Sequence, residues 1–239
     1  MARRPPRPHV TETTDDVGRP IRVLEVSGTY QSATYLYDAW ADLVFPYHEL
    51  FDRPLASLPA DAHVLMLGGG GYAWPKHLLT TYPRVSIDVV EVDPRVTELA
   101  RHHLYLDRLE GLCAREGLGR LRIVEDDALR YLESCDATYD LVVDDAFWGA
   151  RPVSELLGPD GLGAARACMR AGGCYEANVV SALEGRESAP LHDATVALGT
   201  CLSHVWVLPC GADEPEVADN NVVVASDVEL LLGDAVRLS

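Results

Sequence analysis

A chain of 239 residues with 48% hydrophobic and 24% charged side chains has the length and balance of one large water-soluble domain with a substantial core. Its longest apolar-plus-glycine stretch, residues 64–74, is broken by four glycines and is too short to span a bilayer. A formal net charge of -17 argues against nucleic acid and anionic membranes as partners, because phosphate contacts need clustered Lys and Arg, and it attracts cationic ligands at long range.

Residues 1–20 are rich in Pro, Arg and Thr and lack an apolar h-region, which excludes a signal peptide and reads as a flexible leader. Residues 21–27 and 30–37 alternate as two strands around Gly28 and Thr29, predicting a short β-hairpin. A helix follows over 47–57, so that 21–57 forms a hairpin plus connecting helix, ahead of a main domain over 58–239. From there strand and helix patterns alternate. Strands are expected at 63–67, 86–92, 120–124, 139–143 and 173–180, and helices at about 72–79, 94–109, 128–134, 162–170 and 192–202. Two last strands, 205–209 and 221–225, have no helix between them and are expected to pair antiparallel at one edge. The central strands are continuous apolar runs, as in parallel sheets covered on both faces. The expectation is therefore an α/β, Rossmann-like doubly wound domain with seven mostly parallel strands.

Six cysteines (113, 135, 168, 174, 201 and 210) show no C-x-x-C pair and no zinc spacing. Free thiols in a reducing, cytoplasmic setting and no metal are the expectation.

Four segments carry chemistry. In VLMLGGGGY, residues 64–72, an apolar strand runs into glycines and then a helix, the arrangement that lets a ligand approach bare backbone. Gly68, Gly69 and Gly70 are the candidate contacts. In VVEVDP, residues 89–94, Glu91 ends the second strand of the main domain, where a carboxylate can accept ribose hydroxyls. In VEDDALRYL, residues 124–132, Asp126 or Asp127 can accept the exocyclic amine of adenine, and Asp127 can equally cap the following helix. In YDLVVDDAFWG, residues 139–149, Asp144 and Asp145 follow the fourth strand at the edge where such sheets bind ligands. One of the two can orient and deprotonate an amine, and the other can serve a turn or cap.

Together with GTYQSATYLYD (28–38) and FPYHEL (45–50), these segments resemble the spermidine/spermine synthase family of aminopropyltransferases, and within it the divergent spermidine-synthase-like branch. The resemblance implies the S-adenosylmethionine-dependent methyltransferase fold. As donor it implies S-adenosylmethionine or its decarboxylated form, touched by His48, residues 68–70, Glu91 and Asp127. It also implies Asp145 as the carboxylate that activates a small-molecule amine acceptor, Tyr47 at the junction of donor and acceptor pockets, and a homodimer. Asp144 and Trp148 fall on the acceptor side. Two positions depart from the family pattern. Gly71 stands where the family's GGGDGG has its aspartate, which admits ordinary S-adenosylmethionine and with it methyl transfer. Trp148 stands where D-S-S-D-P has its second aspartate, removing an anchor for a polyamine nitrogen.

Overall fold

The computed structural model describes residues 7–116, 120–210, 213–233 and 235–237. Strands β1 (His9–Thr14), β2 (Pro20–Val26) and β3 (Thr29–Tyr35) form an antiparallel N-terminal sheet. It has three strands where a two-stranded hairpin was expected, and β1 lies inside the segment read as a flexible leader, of which residues 1–6 lie outside the described residues. The reason is physical: β1 is almost wholly exposed and shows no buried face in its sequence, yet it pairs with β2 from His9↔Glu25 to Thr14↔Pro20. Asp15 shapes the connection by accepting the backbone N–H groups of Val17 and Arg19 (3.1 and 2.8 Å).

The expected helix over 47–57 divides into α1 (Tyr47–Leu50) and a 3-10 segment, Arg53–Ser57, begun by Pro54. The main domain then alternates through β4 (His63–Leu67), α2 (Ala73–Thr81), β5 (Ser86–Glu91), α3 (Pro94–His103) and α4 (Leu106–Glu116). It continues with β6 (Arg120–Glu125), α5 (Ala128–Ser134), β7 (Tyr139–Asp144), a small hairpin of β8 (Phe147–Trp148) and β9 (Arg151–Pro152), α6 (Pro159–Cys168) and β10 (Met169–Ser181). It closes with α7 (Ala189–Cys201), β11 (His204–Pro209), β12 (Asp219–Ser226) and the short β13 (Val236–Arg237). Of the loop between β11 and β12, residues 211 and 212 lie outside the described residues.

The central sheet runs β13-β11-β12-β10-β7-β4-β5-β6. It has eight strands rather than seven because β13 adds to β11. The strands from β10 through β7, β4 and β5 to β6 are parallel. β12 is antiparallel to both β10 and β11 and sits between them, so the expected antiparallel pair forms at one end of the sheet, with only the two-residue β13 beyond it. Alternate residues of each strand feed two core layers. On β4, Val64 and Met66 join one and Leu65 and Leu67 the other; on β7, Leu141 and Val143 oppose Val142. Each side chain so buried contributes roughly 1.5–3 kcal/mol.

The single helix expected over 94–109 is broken at Leu104 and Tyr105, with Tyr105 in the left-handed region (φ 64°). A lysine from another element holds the break. Lys76 Nζ, fully buried in α2, donates to the Leu104 carbonyl (2.7 Å) and to Thr34 Oγ1 of β3 (2.8 Å). Burial without a carboxylate pulls its ammonium down to about 7. Among the described residues no helix is long and apolar enough to cross a membrane.

Candidate active site

The ends of β4, β5, β7 and β10 meet at one edge of the sheet, and there lies a cavity of about 410 Å³. Residues 68–70, Glu91, Asp145, Tyr47, His48 and Trp148 all line it, so most of the residues singled out from sequence come together. The turn after β4 is fixed by sterics. Gly68 has φ +92°, and a Cβ there would lie 2.5 Å from the backbone oxygen of Asp145, an approach open only to glycine. The Asp145 N–H in turn donates to the Leu67 carbonyl (3.0 Å), locking the start of one loop to the end of the neighbouring strand.

Glu91 is buried, and three backbone N–H groups converge on it: Gly69 (3.0 Å) and Gly70 (3.1 Å) on Oε2, Asp93 (2.9 Å) on Oε1. Burial raises its pKa and these donors oppose the rise. The carboxylate therefore clamps the glycine turn to the end of β5 and keeps part of its acceptor capacity toward the cavity.

Asp145 stands beside that turn, held from two sides. Asn178 Nδ2 of β10 donates to Oδ1 (2.8 Å), the Tyr47 hydroxyl donates to Oδ2 (3.3 Å), and His48 Nε2 lies 3.7 Å from Oδ2. Burial and the Asp145 charge raise the Tyr47 pKa well above that of a free tyrosine, so Tyr47 remains a donor. His48 Nδ1 and Asn178 Oδ1 are buried at the cavity wall with no hydrogen-bond partner among the described residues. Buried polar atoms of this kind call for a partner, and a ligand in the cavity can supply one.

Three candidates lie elsewhere. Asp144 ends β7 pointing to the opposite face of the sheet, where it accepts the Tyr175 hydroxyl (2.9 Å) and the Ala146 N–H (3.3 Å). Burial pushes its pKa up to about 7. Asp127 caps α5 through the Arg130 N–H (3.1 Å), and Asp126 accepts the Asp127 N–H and the Arg130 guanidinium. None of the three lines the cavity. Asn178, Asn220, Tyr30, Gln31, Phe147 and Val180 do line it and were not singled out from sequence. The Asn178 signal was present, as an amide inside the apolar run of β10.

Gly71 does not line the cavity. A Cβ there would lie 2.5 Å from Ser32 Oγ and 2.7 Å from Ser32 Cβ, so the space a family aspartate would need is filled by β3.

The family model for the spermine/spermidine synthase domain matches residues 44–174, more than half of the chain. The polyamine aminopropyltransferase of Streptococcus uberis is 34% identical over 106 residues, covering 43% of this chain and 34% of the relative. Among solved structures, a probable spermidine synthase from Corynebacterium glutamicum superposes with a TM-score of 0.73 at 20% identity, over 93% of this chain and 78% of that one. Human methyltransferase-like protein 13 in complex with SAH follows at 0.58 and 18%, over 76% and 82%. At these identities the structures establish the shared fold, and the chain spans between about a fifth and a half of the length of the curated relatives it matches. The matched segment contains Tyr47, His48, the glycine turn, Glu91 and Asp145, and the chain belongs to the spermine/spermidine synthase domain family.

Proposed function

We propose that this protein transfers an aminopropyl group from decarboxylated S-adenosylmethionine to an amine, with Asp145 as the base. The observation that carries this reading is the placement of Asp145 beside the turn at residues 68–70, held by Asn178 and Tyr47, in one cavity with Glu91. The glycine turn and Glu91 would take the ribose, and the unpartnered His48 Nδ1 and Asn178 Oδ1 would gain partners from the bound molecules. The acceptor nitrogen attacks the methylene bonded to the sulfonium. The carbon–sulfur bond breaks with its electron pair passing to sulfur, and the proton lost by nitrogen goes to Asp145. The sulfonium is already a good leaving group, so most of the acceleration comes from orientation.

Charge favours the decarboxylated donor. The described cavity lining contains Glu91, Asp93 and Asp145 and no Lys or Arg, so the carboxylate of ordinary S-adenosylmethionine would meet negative charge without a cation. Gly71 supports the second reading, methyl transfer from ordinary S-adenosylmethionine, because no aspartate stands there to repel that carboxylate.

Mass spectrometry of the nucleoside by-product decides between them. Incubation with each donor and a panel of amines is expected to yield methylthioadenosine that depends on decarboxylated donor and amine together. S-adenosylhomocysteine in its place would establish methyl transfer, and neither product would refute both.

A further inference from the structure

Resting on the transfer reading above, we infer that the acceptor is a primary monoamine with a flat apolar body, an arylalkylamine, rather than a polyamine. Strand order assigns the two halves of the cavity. Glu91 and Asp93 sit at the end of β5, two strands from Asp145, roughly 10 Å at the usual strand spacing. They belong to the donor half beside the glycine turn. On the other side of Asp145 the sheet continues to β10 and β12, and the lining there is Phe147, Trp148, Asn178, Val180 and Asn220. Among the described lining residues, that half offers two neutral amides and no second carboxylate. Asp219, next in sequence to Asn220, is not part of the lining, and its Oδ1 accepts the Asn220 N–H (2.7 Å). A polyamine would bring a second ammonium into this half with no lining carboxylate to meet it, since Glu176 of β10 is fully buried and does not line the cavity, whereas a monoamine places its one nitrogen at Asp145.

The mouth supplies what an apolar body needs. Trp148 is 54% exposed, Tyr30 57% and Val180 45%, three large apolar side chains on one cavity rim, while the other three tryptophans are buried. Exposed apolar groups gathered at a ligand cavity mark a binding surface. The backbone that carries Trp148 is also tied down. β8 pairs with β9 through Trp148↔Arg151, and Gln31 Nε2 donates to the Gly149 carbonyl (3.2 Å), tying the hairpin to β3. An aromatic body entering this half of the cavity would lie against Trp148 and Tyr30, both of which line it.

The test compares 2-phenylethylamine with putrescine and spermidine, using decarboxylated donor and methylthioadenosine as readout. The expected kcat/KM for 2-phenylethylamine exceeds that for putrescine by about tenfold or more, the size of one or two aromatic contacts. Trp148→Asp should reverse the order. Polyamines turned over as well as or better than the arylalkylamine would overturn the inference while leaving the transfer reading intact. Acrylamide quenching of the exposed Trp148, followed in the intact protein with Trp148→Phe as control, decides the acceptor class independently of turnover. Protection by 2-phenylethylamine and not by putrescine supports the inference even if no amine is alkylated, the result that would end the transfer reading. Equal protection, or none, refutes it.

Discussion

Replacing Asp144 by asparagine removes a carboxyl that the fold holds in an uncomfortable state. The side chain is buried, receives the Tyr175 hydroxyl and the Ala146 N–H, and lies next to the Asp145 charge; burial dominates and lifts its pKa from 3.8 to about 7. In the unfolded chain the same carboxyl ionises near its ordinary value. Between these two values the folded protein retains a proton that the unfolded protein has released, so stability falls as pH rises through the window. At about 1.36 kcal/mol per unit, the loss accumulates to roughly 4 kcal/mol above pH 7 and vanishes below pH 4. Asparagine does not titrate, and its carbonyl can still accept from Tyr175. Urea unfolding of both proteins at several pH values between 4 and 8 measures the difference, in which titrations common to both chains cancel. Asp144→Asn is expected to match the parent near pH 4 and to exceed it by up to about 4 kcal/mol at pH 8. A stability gap that stays constant with pH would refute the reasoning. Because Asp144 does not line the cavity, transfer activity should survive.

The neighbouring substitution should behave oppositely: Asp145→Asn is expected to lower kcat by about 10²–10⁴-fold while donor affinity by calorimetry changes little. Gly68→Ala forces a Cβ to 2.5 Å from the Asp145 carbonyl at φ +92°, and thermal unfolding should show a loss of more than about 2 kcal/mol, with donor binding lost as well. Gly71→Asp alone should destabilise by displacing Ser32. Combined with Ser32→Gly it should fold and bind the decarboxylated donor at least about tenfold more tightly relative to ordinary S-adenosylmethionine; an unchanged ratio of dissociation constants would remove the role assigned to that position.

What the sequence reveals follows burial. β4, β7 and β12 are covered on both faces, so each carries a short apolar run (residues 64–67, 141–143 and 222–225) that can be placed to within a residue or two. β1 is held mainly by backbone pairing, with Val10 its one side chain packed on the core and Glu12 paired to Arg22 (2.9 Å), and it leaves no hydrophobic period to read. The break between α3 and α4 is equally hidden, because the residue that captures the Leu104 carbonyl, Lys76, lies 28 positions away. Asp144 and Asp145 are indistinguishable as a motif. Strand alternation separates them, sending Asp144 to the Tyr175 side and leaving Asp145 beyond the last paired residue, against Asn178. Asp127 shows the converse, since its sequence suits both a cap and an adenine contact, and the structure places it at the N-terminus of α5.

The position of β12 bears on how the molecule is made. Synthesis delivers β10 and β11 before the strand that separates them, so a nascent chain that has not reached residue 226 carries two apolar strands with open hydrogen-bonding edges. Asn221, which donates to the Ser181 carbonyl (2.9 Å), fastens the latecomer to the end of β10, and Asn220 beside it completes the cavity wall. Ribosome stalling or proteolysis before that point would leave a sticky fragment prone to self-association, which makes β12 both the finishing piece of the edge that carries the cavity and its protection against aggregation.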